Sequence, residues 1–351
     1  MTPTNAPARV APLTAKRESS PVDVAERSTT SSRDISREFI KPLLKSHRGL
    51  PRPPFDCVAL VLQGGGALGA FQAGVYQVLA EANLHPDWVA GISIGAINCA
   101  LIAGNAPEAR LEKLRAFWEQ VTTQLVFDPF GIADYWLRGD MGHVVLNRLR
   151  AGATMLEGAP GFFKPRFPPP YLAAPGTVEA TSWYDTTPLR STLERLVDFD
   201  RINSGDMRFS VGAVNIRSGN FVYFDSTTHK IRPEHIMASA GQHRSLQTNP
   251  VRPNGPRESF GKDSNQNPRI GRGQIASERD RNVYQIVHLI YRSKNYEVQS
   301  KDYEFSRTSM IDHWNAGYND AVRTLRHPEA LQRPPNDPGV ATFDVVADGR
   351  E

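Results

Sequence analysis

Residues 55–104 read FDCVALVLQGGGALGAFQAGVYQVLAEANLHPDWVAGISIGAINCALIAG and hold two glycine-rich turns, each set between an apolar run and a helix-like pattern. Residues 58–62 are short, apolar and β-prone. Gln63 and then Gly64, Gly65, Gly66, Ala67, Leu68 and Gly69 close that run, after which Phe71, Val75, Val78 and Leu79 recur at helical spacing. A second run, Trp88, Val89 and Ala90, leads into Gly91-Ile92-Ser93-Ile94-Gly95 and the apolar residues 96–103. Repeated strand, turn and helix units predict an α/β fold: a three-layer α/β/α sandwich with a mostly parallel central sheet and Ser93 at the C-terminal end of a strand.

The second turn is a G-x-S-x-G. A serine placed where a strand turns sharply into a helix leaves no room for bulky residues two positions to either side, and Gly91 and Gly95 supply that room. A helix starting directly after Ser93 puts its hydroxyl near free N–H groups and the positive end of the helix dipole, which favours charge developing on an attacked carbonyl. Consecutive N–H groups at Gly64, Gly65 and Gly66 can serve as an oxyanion hole. The same run, from Gly64 to Gly69, also fits G-x-G-x-x-G and so raises dinucleotide binding by an oxidoreductase. That alternative wants an acid about 20 residues on, after the next strand. Asp87 lies near that distance but precedes the next apolar run, so acyl transfer fits the pair of turns better.

Two such turns one βα unit apart, with the serine on the second, resemble the patatin-like phospholipase family, in which a glycine-rich oxyanion motif is followed by a G-x-S-x-G serine. The resemblance implies a patatin-type sandwich with a nucleophile elbow. It also implies Ser93 as nucleophile, the Gly64, Gly65 and Gly66 backbone as oxyanion hole, and an aspartate as the other half of a dyad. It calls for no cofactor or metal, and its substrate class is a lipid or phospholipid ester.

The balance of charge bounds the partners. Lys and Arg number 41 against 37 Asp and Glu, a net of +4, too even to imply nucleic acid and compatible with attraction to an anionic lipid surface. Only Cys57 and Cys99 occur, both expected to pack as small apolar side chains, and none of the nine histidines falls into H-x-x-x-H or H-E-x-x-H spacing. The first residues contain no apolar signal-like run, and residues 89–104 are shorter than the roughly 20 residues a spanning helix requires. The expected location is cytoplasmic, with peripheral contact to membranes.

Along the chain, residues 1–54 are rich in Thr, Ser, Arg and Pro and are expected to form a flexible leader, with a possible short helix over residues 32–46 kinked at Pro42. Residues 55–240 are expected to form the core domain. Within it, residues 106–127 predict a helix, residues 127–170 an irregular aromatic-rich excursion, and residues 187–197 a further helix. Residues 207–215 and 221–224 predict a strand and its hairpin partner. By the resemblance, residues 231–240, with Ser239, match a short helix that in the family precedes the aspartate motif D-G-G or D-G-A. Neither motif occurs in the chain. Residues 241–282 instead read GQHRSLQTNPVRPNGPRESFGKDSNQNPRIGRGQIASERDRN, with Leu246, Val251, Phe260, Ile270 and Ile275 as the only sizeable apolar side chains. So few anchors predict disorder rather than a central strand.

Asp263 is the nearest acid by order and the candidate base, but a base must be held within about 2.6 to 3.2 Å of the hydroxyl it serves, and an unanchored loop does not hold it. Asp225 and Asp280 are alternatives of the same standing, as are His143, His229 and His235. Residues 283–345 are expected to pack on the core as a C-terminal extension of the kind seen in a bacterial subgroup of the family, with a covered strand at 284–291 and a helix over 301–325 capped by Ser306. Two functions follow from the sequence: a serine acyl-ester hydrolase of phospholipase A type, or a catalytically impaired lipid-binding or scaffold protein with the same fold.

Overall fold

The computed structural model describes residues 47–122, 140–174, 177, 180, 182–215, 218–240, 285–292, 302–327 and 331–333, with the side chains of 140–147 excluded. All of them fall in the compact unit Lys41–Glu351.

Strand β1 (Ala59–Leu62), helix α1 (Gly69–Glu81), strand β2 (Trp88–Ile92) and helix α2 (Ile94–Ala103) form where the two apolar runs and their glycine turns place them. Helix α3 (Pro107–Val121) carries its proline in the first turn, where the missing N–H costs nothing. Helices α4 (Asp140–Glu157), α5 (Thr187–Leu196) and α6 (Phe199–Ser204) follow, with the short strands β3 (Lys164–Pro165) and β4 (Tyr184–Asp185) between α4 and α5. Strands β5 (Arg208–Val214) and β6 (Phe221–Asp225) lead to helix α7 (Pro233–Ala240), and helix α8 (Arg307–Leu325) is the last α-helix among the described residues. Ser306 caps α8 by accepting from the Ser309 N–H at 3.2 Å, as the sequence predicts.

The α/β architecture is the expected one. The main sheet has the order β1-β2-β5-β6, parallel across its first three strands and antiparallel at the last pair; β3 and β4 form a separate antiparallel hairpin. The register places Leu62 beside Gly91, Gly91 beside Val211, and Val211 beside Phe224. These residues share one face, because side chains alternate along a strand. Helix α2 lies over that face: a Cβ on Gly91 would stand 2.5 Å from the Gly95 main chain. The Phe224 ring packs 4.5 Å from that of His235, so α7 covers the same face. All ten residues of α2 are buried. Its apolar character all round is what such a position requires, each large side chain contributing about 1.5 to 3 kcal/mol. The other face exposes Val61, Ile92, Val214, Phe221 and Tyr223.

Three sequence expectations are corrected. The stretch read as an irregular excursion contains the helix Asp140–Glu157, whose pattern is weakened by Gly142 and Gly152. Residues 285–290, expected as a covered strand, form none: Ile286 and Ile290 are exposed, while Tyr291 packs against Phe71 and His313. A short continuous apolar run does not by itself say whether a strand edge is available to receive it. Cys57, expected to pack, is exposed, whereas Cys99 is buried on α2 and its thiol is pushed up by that burial.

Helix α8 docks on α1 through the backbone itself. A Cβ on Gly74 would lie 2.0 Å from the Trp314 carbonyl oxygen, and one on Gly317 would lie 2.0 Å from that of Phe71. Around this contact the Glu81 carboxylate accepts from Gln77 at 2.9 Å and from Tyr318 at 3.1 Å, and meets the His47 ring at 2.9 Å. Gln77 in turn accepts from the Trp314 indole at 2.9 Å. Burial pushes the Glu81 carboxyl up, but the hydrogen bonds from Gln77, His47 and Tyr318 and the charge of Arg48 outweigh it and leave the carboxyl below its ordinary 4.5. The Tyr318 phenol is pushed up to about 12 by its burial and by Glu81, so it remains a donor. A depressed folded-state value means that this stabilisation is fully present above pH 4.5 and is lost as the pH falls below it through the folded value. Thermal unfolding followed between neutral pH and pH 4 should therefore show Glu81→Gln losing less stability on acidification than the parent; equal losses would remove Glu81 from the acid response.

Candidate active site

Ser93 sits between the last residue of β2 and the first of α2 with φ 57° and ψ −125°, one of two non-glycine residues with positive φ among those described. Such a conformation costs an L residue of order 1 to 3 kcal/mol and persists only where its surroundings fix it. They do so here by close packing. A Cβ on Gly95 would lie 2.3 Å from the Leu62 carbonyl oxygen and 2.6 Å from that of Gln63, so α2 presses directly on the end of β1. The Ser93 carbonyl already accepts from the Ala96 N–H at 2.9 Å, starting the helix.

The Ser93 N–H donates to the Ser239 hydroxyl at 2.8 Å, and that hydroxyl donates to the Gly212 carbonyl at 2.5 Å. One side chain from α7 thus ties the elbow to β5. In the sequence Ser239 shows only as part of a short helix; a bond between residues 146 positions apart leaves no local trace.

The first glycine turn stands against the serine. A Cβ on Gly64 would be 3.3 Å from the Ser93 Cβ and 3.9 Å from its Oγ. Gly65 and Gly66 have φ 143° and 51°, values that side chains other than glycine rarely adopt. Their N–H groups and that of Gly64 donate to no carbonyl among the described residues. The turn is held from below: Gln72 donates to the Gln63 carbonyl at 2.7 Å, buried Asn98 donates to Gln72 at 3.0 Å and to the Gly69 carbonyl at 2.9 Å, and the Trp118 indole donates to Asn98 at 3.1 Å. On its other side the Asp302 carbonyl closes over Gly66, 2.1 Å from where a Cβ would be.

The described acids and imidazoles named from sequence, Asp225, His229 and His235, bond elsewhere. Asp225 accepts from Ser210 at 2.5 Å, from the Thr227 N–H at 3.0 Å and from Arg208 at 3.0 Å; burial raises its carboxyl, but these bonds outweigh it and lower it to about 2. It pairs in register with Ser210, two residues short of the partner of Ile92, and serves the sheet. His229 bonds Thr228, and His235 accepts from the Arg232 N–H at 3.0 Å, its burial lowering its basicity. Asp263, Asp280 and the His143 side chain lie outside the described residues. Among the described residues no carboxylate or imidazole bonds the Ser93 hydroxyl. Asp87, the acid that a dinucleotide site would need, accepts from the Val58 N–H at 2.7 Å and pairs with Arg52. That is the entry end of β1, opposite the glycine turn.

The chain is similar in sequence to known proteins. The chain is 39% identical over 69 residues to a triacylglycerol lipase of Arabidopsis thaliana, SDP1L, a stretch covering 19% of this chain and 8% of that protein. It is 37% identical over 71 residues to patatin-like phospholipase domain-containing protein 7 of Rattus norvegicus, covering 20% and 5%. With lysophospholipase nte1 of Aspergillus terreus it shares 53% identity over 49 residues, covering 14% and 3%. The matches thus span less than a tenth of each relative's length. No solved structure matches the chain. A second family model, described as patatin phospholipase, matches residues 263–337. The model of patatin-like phospholipases matches residues 60–291, well over half of the sequence and both glycine turns with it, so this chain belongs to the patatin-like phospholipase family.

Proposed function

We propose that this chain is a serine acyl-ester hydrolase acting on lipid or phospholipid esters, with Ser93 as nucleophile and the Gly64, Gly65 and Gly66 amides as oxyanion hole. The observation that carries the reading is the strained Ser93 backbone at the β2–α2 junction, held beside Gly64 by main-chain contacts. In this mechanism the Ser93 oxygen attacks the ester carbonyl and its proton passes to a base. The tetrahedral oxyanion is stabilised by the turn amides and the start of α2, the alcohol leaves with a proton, and water then cleaves the acyl-enzyme. Peripheral contact with a membrane supplies the substrate.

A second reading is favoured by one observation. With no acid or imidazole on the Ser93 hydroxyl among the described residues, the same fold can serve as a lipid-binding or scaffold protein with impaired turnover. Labelling of the purified chain with a fluorophosphonate separates the two. The hydrolase reading expects Ser93→Ala to abolish a label that the parent accepts; a folded parent that takes no label sinks it and leaves the binding protein. Asp263→Asn belongs in the same experiment, since an unchanged labelling rate removes Asp263 as the base.

Ser239 is a positioning residue in this mechanism. Ser239→Ala leaves the Ser93 N–H unpaired, a loss worth about 1 to 3 kcal/mol, and frees the elbow to shift. The expected result is a roughly tenfold fall in kcat for a soluble ester with little change in KM, because small misplacements of a nucleophile act on the chemical step. Ser239→Thr, which keeps the hydroxyl, should restore most of it. A rise in KM with kcat unchanged, or no rescue by threonine, would assign Ser239 a purely structural part.

A further inference from the structure

The hairpin β3–β4 and the turn after β3 place two cations beside four exposed large apolar side chains. Lys164 and Arg166 lie at and just after β3, and Phe167, Tyr171, Leu172 and Trp183 are 97%, 72%, 67% and 60% exposed. The Tyr171 and Trp183 rings meet at 5.9 Å. Pro168, Pro169 and Pro170 stiffen the turn between them, so little conformational freedom is lost when it is ordered against a partner. An open groove of about 590 Å³ runs between the cations, Phe167, Leu172 and Asp185. Lys164 reaches Asp185 at 3.4 Å, whereas the buried Arg166 Nε has no hydrogen-bond partner among the described residues.

We propose that this hairpin docks the chain onto the surface of an anionic lipid bilayer, Phe167 and Leu172 entering the acyl boundary, Tyr171 and Trp183 at headgroup depth, and Lys164 and Arg166 against lipid phosphates. Tyr and Trp favour the membrane–water interface, apolar tips enter it, and neighbouring cations are drawn to anionic headgroups. Ring contacts continue from the hairpin to the glycine turn: Tyr184 to Phe163 at 4.9 Å, Phe163 to Phe305 at 6.1 Å, and Phe305 three residues beyond the Asp302 carbonyl that covers Gly66. The proposal rests on the lipid-ester reading above for its purpose and is tested apart from it.

The test is flotation of the full Ser93→Ala chain with vesicles of phosphatidylcholine alone, or of phosphatidylcholine and phosphatidylglycerol in equal parts. The chain is expected to float with the mixed vesicles, with a blue shift of tryptophan emission that Trp183→Ser removes. Phe167→Ser should weaken the partition by about tenfold and Lys164→Glu by about fivefold or more. Equal flotation with both vesicle types, no flotation with either, or variants that float like the parent would each overturn the proposal. The same variants on the Ser93 chain should hydrolyse a soluble short-chain ester at the parental rate. Flotation without fluorophosphonate labelling would sink the hydrolase and spare the docking surface, and labelling with unaltered flotation of the variants would do the reverse.

Discussion

Replacing Ser93 with alanine is expected to lower the hydrolysis of a soluble short-chain ester by at least about a thousandfold, because loss of the nucleophile leaves only the binding and oxyanion contributions to rate. The measurement is kcat, with unfolding temperature as control. Alanine keeps the positive φ and every main-chain contact of the elbow, so the fold should be retained. A second variant at the same position reads out the backbone strain. Ser93→Gly should be as inactive as Ser93→Ala yet more stable than the parent, since glycine accepts φ 57° and ψ −125° without the cost of order 1 to 3 kcal/mol that a side chain carries there. Retained turnover in Ser93→Ala would exclude Ser93 as nucleophile. A Ser93→Gly chain less stable than the parent would show that no strain is stored at the elbow.

Placing a methyl group on either glycine of the α1–α8 contact is expected to cause the largest loss of stability. Gly74→Ala and Gly317→Ala each put a Cβ at 2.0 Å from a main-chain oxygen of the opposite helix, and neither backbone can yield without moving the whole helix. Separating the helices loosens fully buried Trp314 and stretches the bonds from Trp314 to Gln77 and from Tyr318 to Glu81. We expect a cost of about 3 kcal/mol and a fall in Tm of roughly 6 to 10 °C, measured by calorimetry. Gly152→Ala is the control, because nothing among the described residues lies within 4 Å of a Cβ there. Unchanged melting of Gly74→Ala would show that α8 is not seated on α1 as described.

The parts legible in the sequence are those whose causes are local. The elbow from Gly91 to Gly95 and the turn from Gly64 to Gly69 are each written in a few adjacent residues, and the β5–β6 hairpin and the Ser306 cap likewise follow from neighbours in the chain. Other features have distant causes. The order β1-β2-β5-β6, the Asp302 carbonyl over Gly66 and the hydroxyl of Ser239 on the elbow each depend on segments brought together from far apart. The helix Asp140–Glu157 is hard to see in the sequence because its glycines dilute the periodic signal, and residues 285–290 read as a strand because an apolar run looks the same with or without a strand to pair with. Asp263 is a candidate by order alone, and order carries no distance.

The bond from Ser93 to Ser239 also sets a sequence of events during synthesis. The serine leaves the ribosome 146 residues ahead of the hydroxyl that fixes its amide, so the nascent chain carries an unfinished elbow while those residues are made. Closing that long loop is among the slower steps of folding such a topology. The elbow is therefore completed by the late helix α7, and a chain interrupted before α7 would hold the Ser93 motif without its lock.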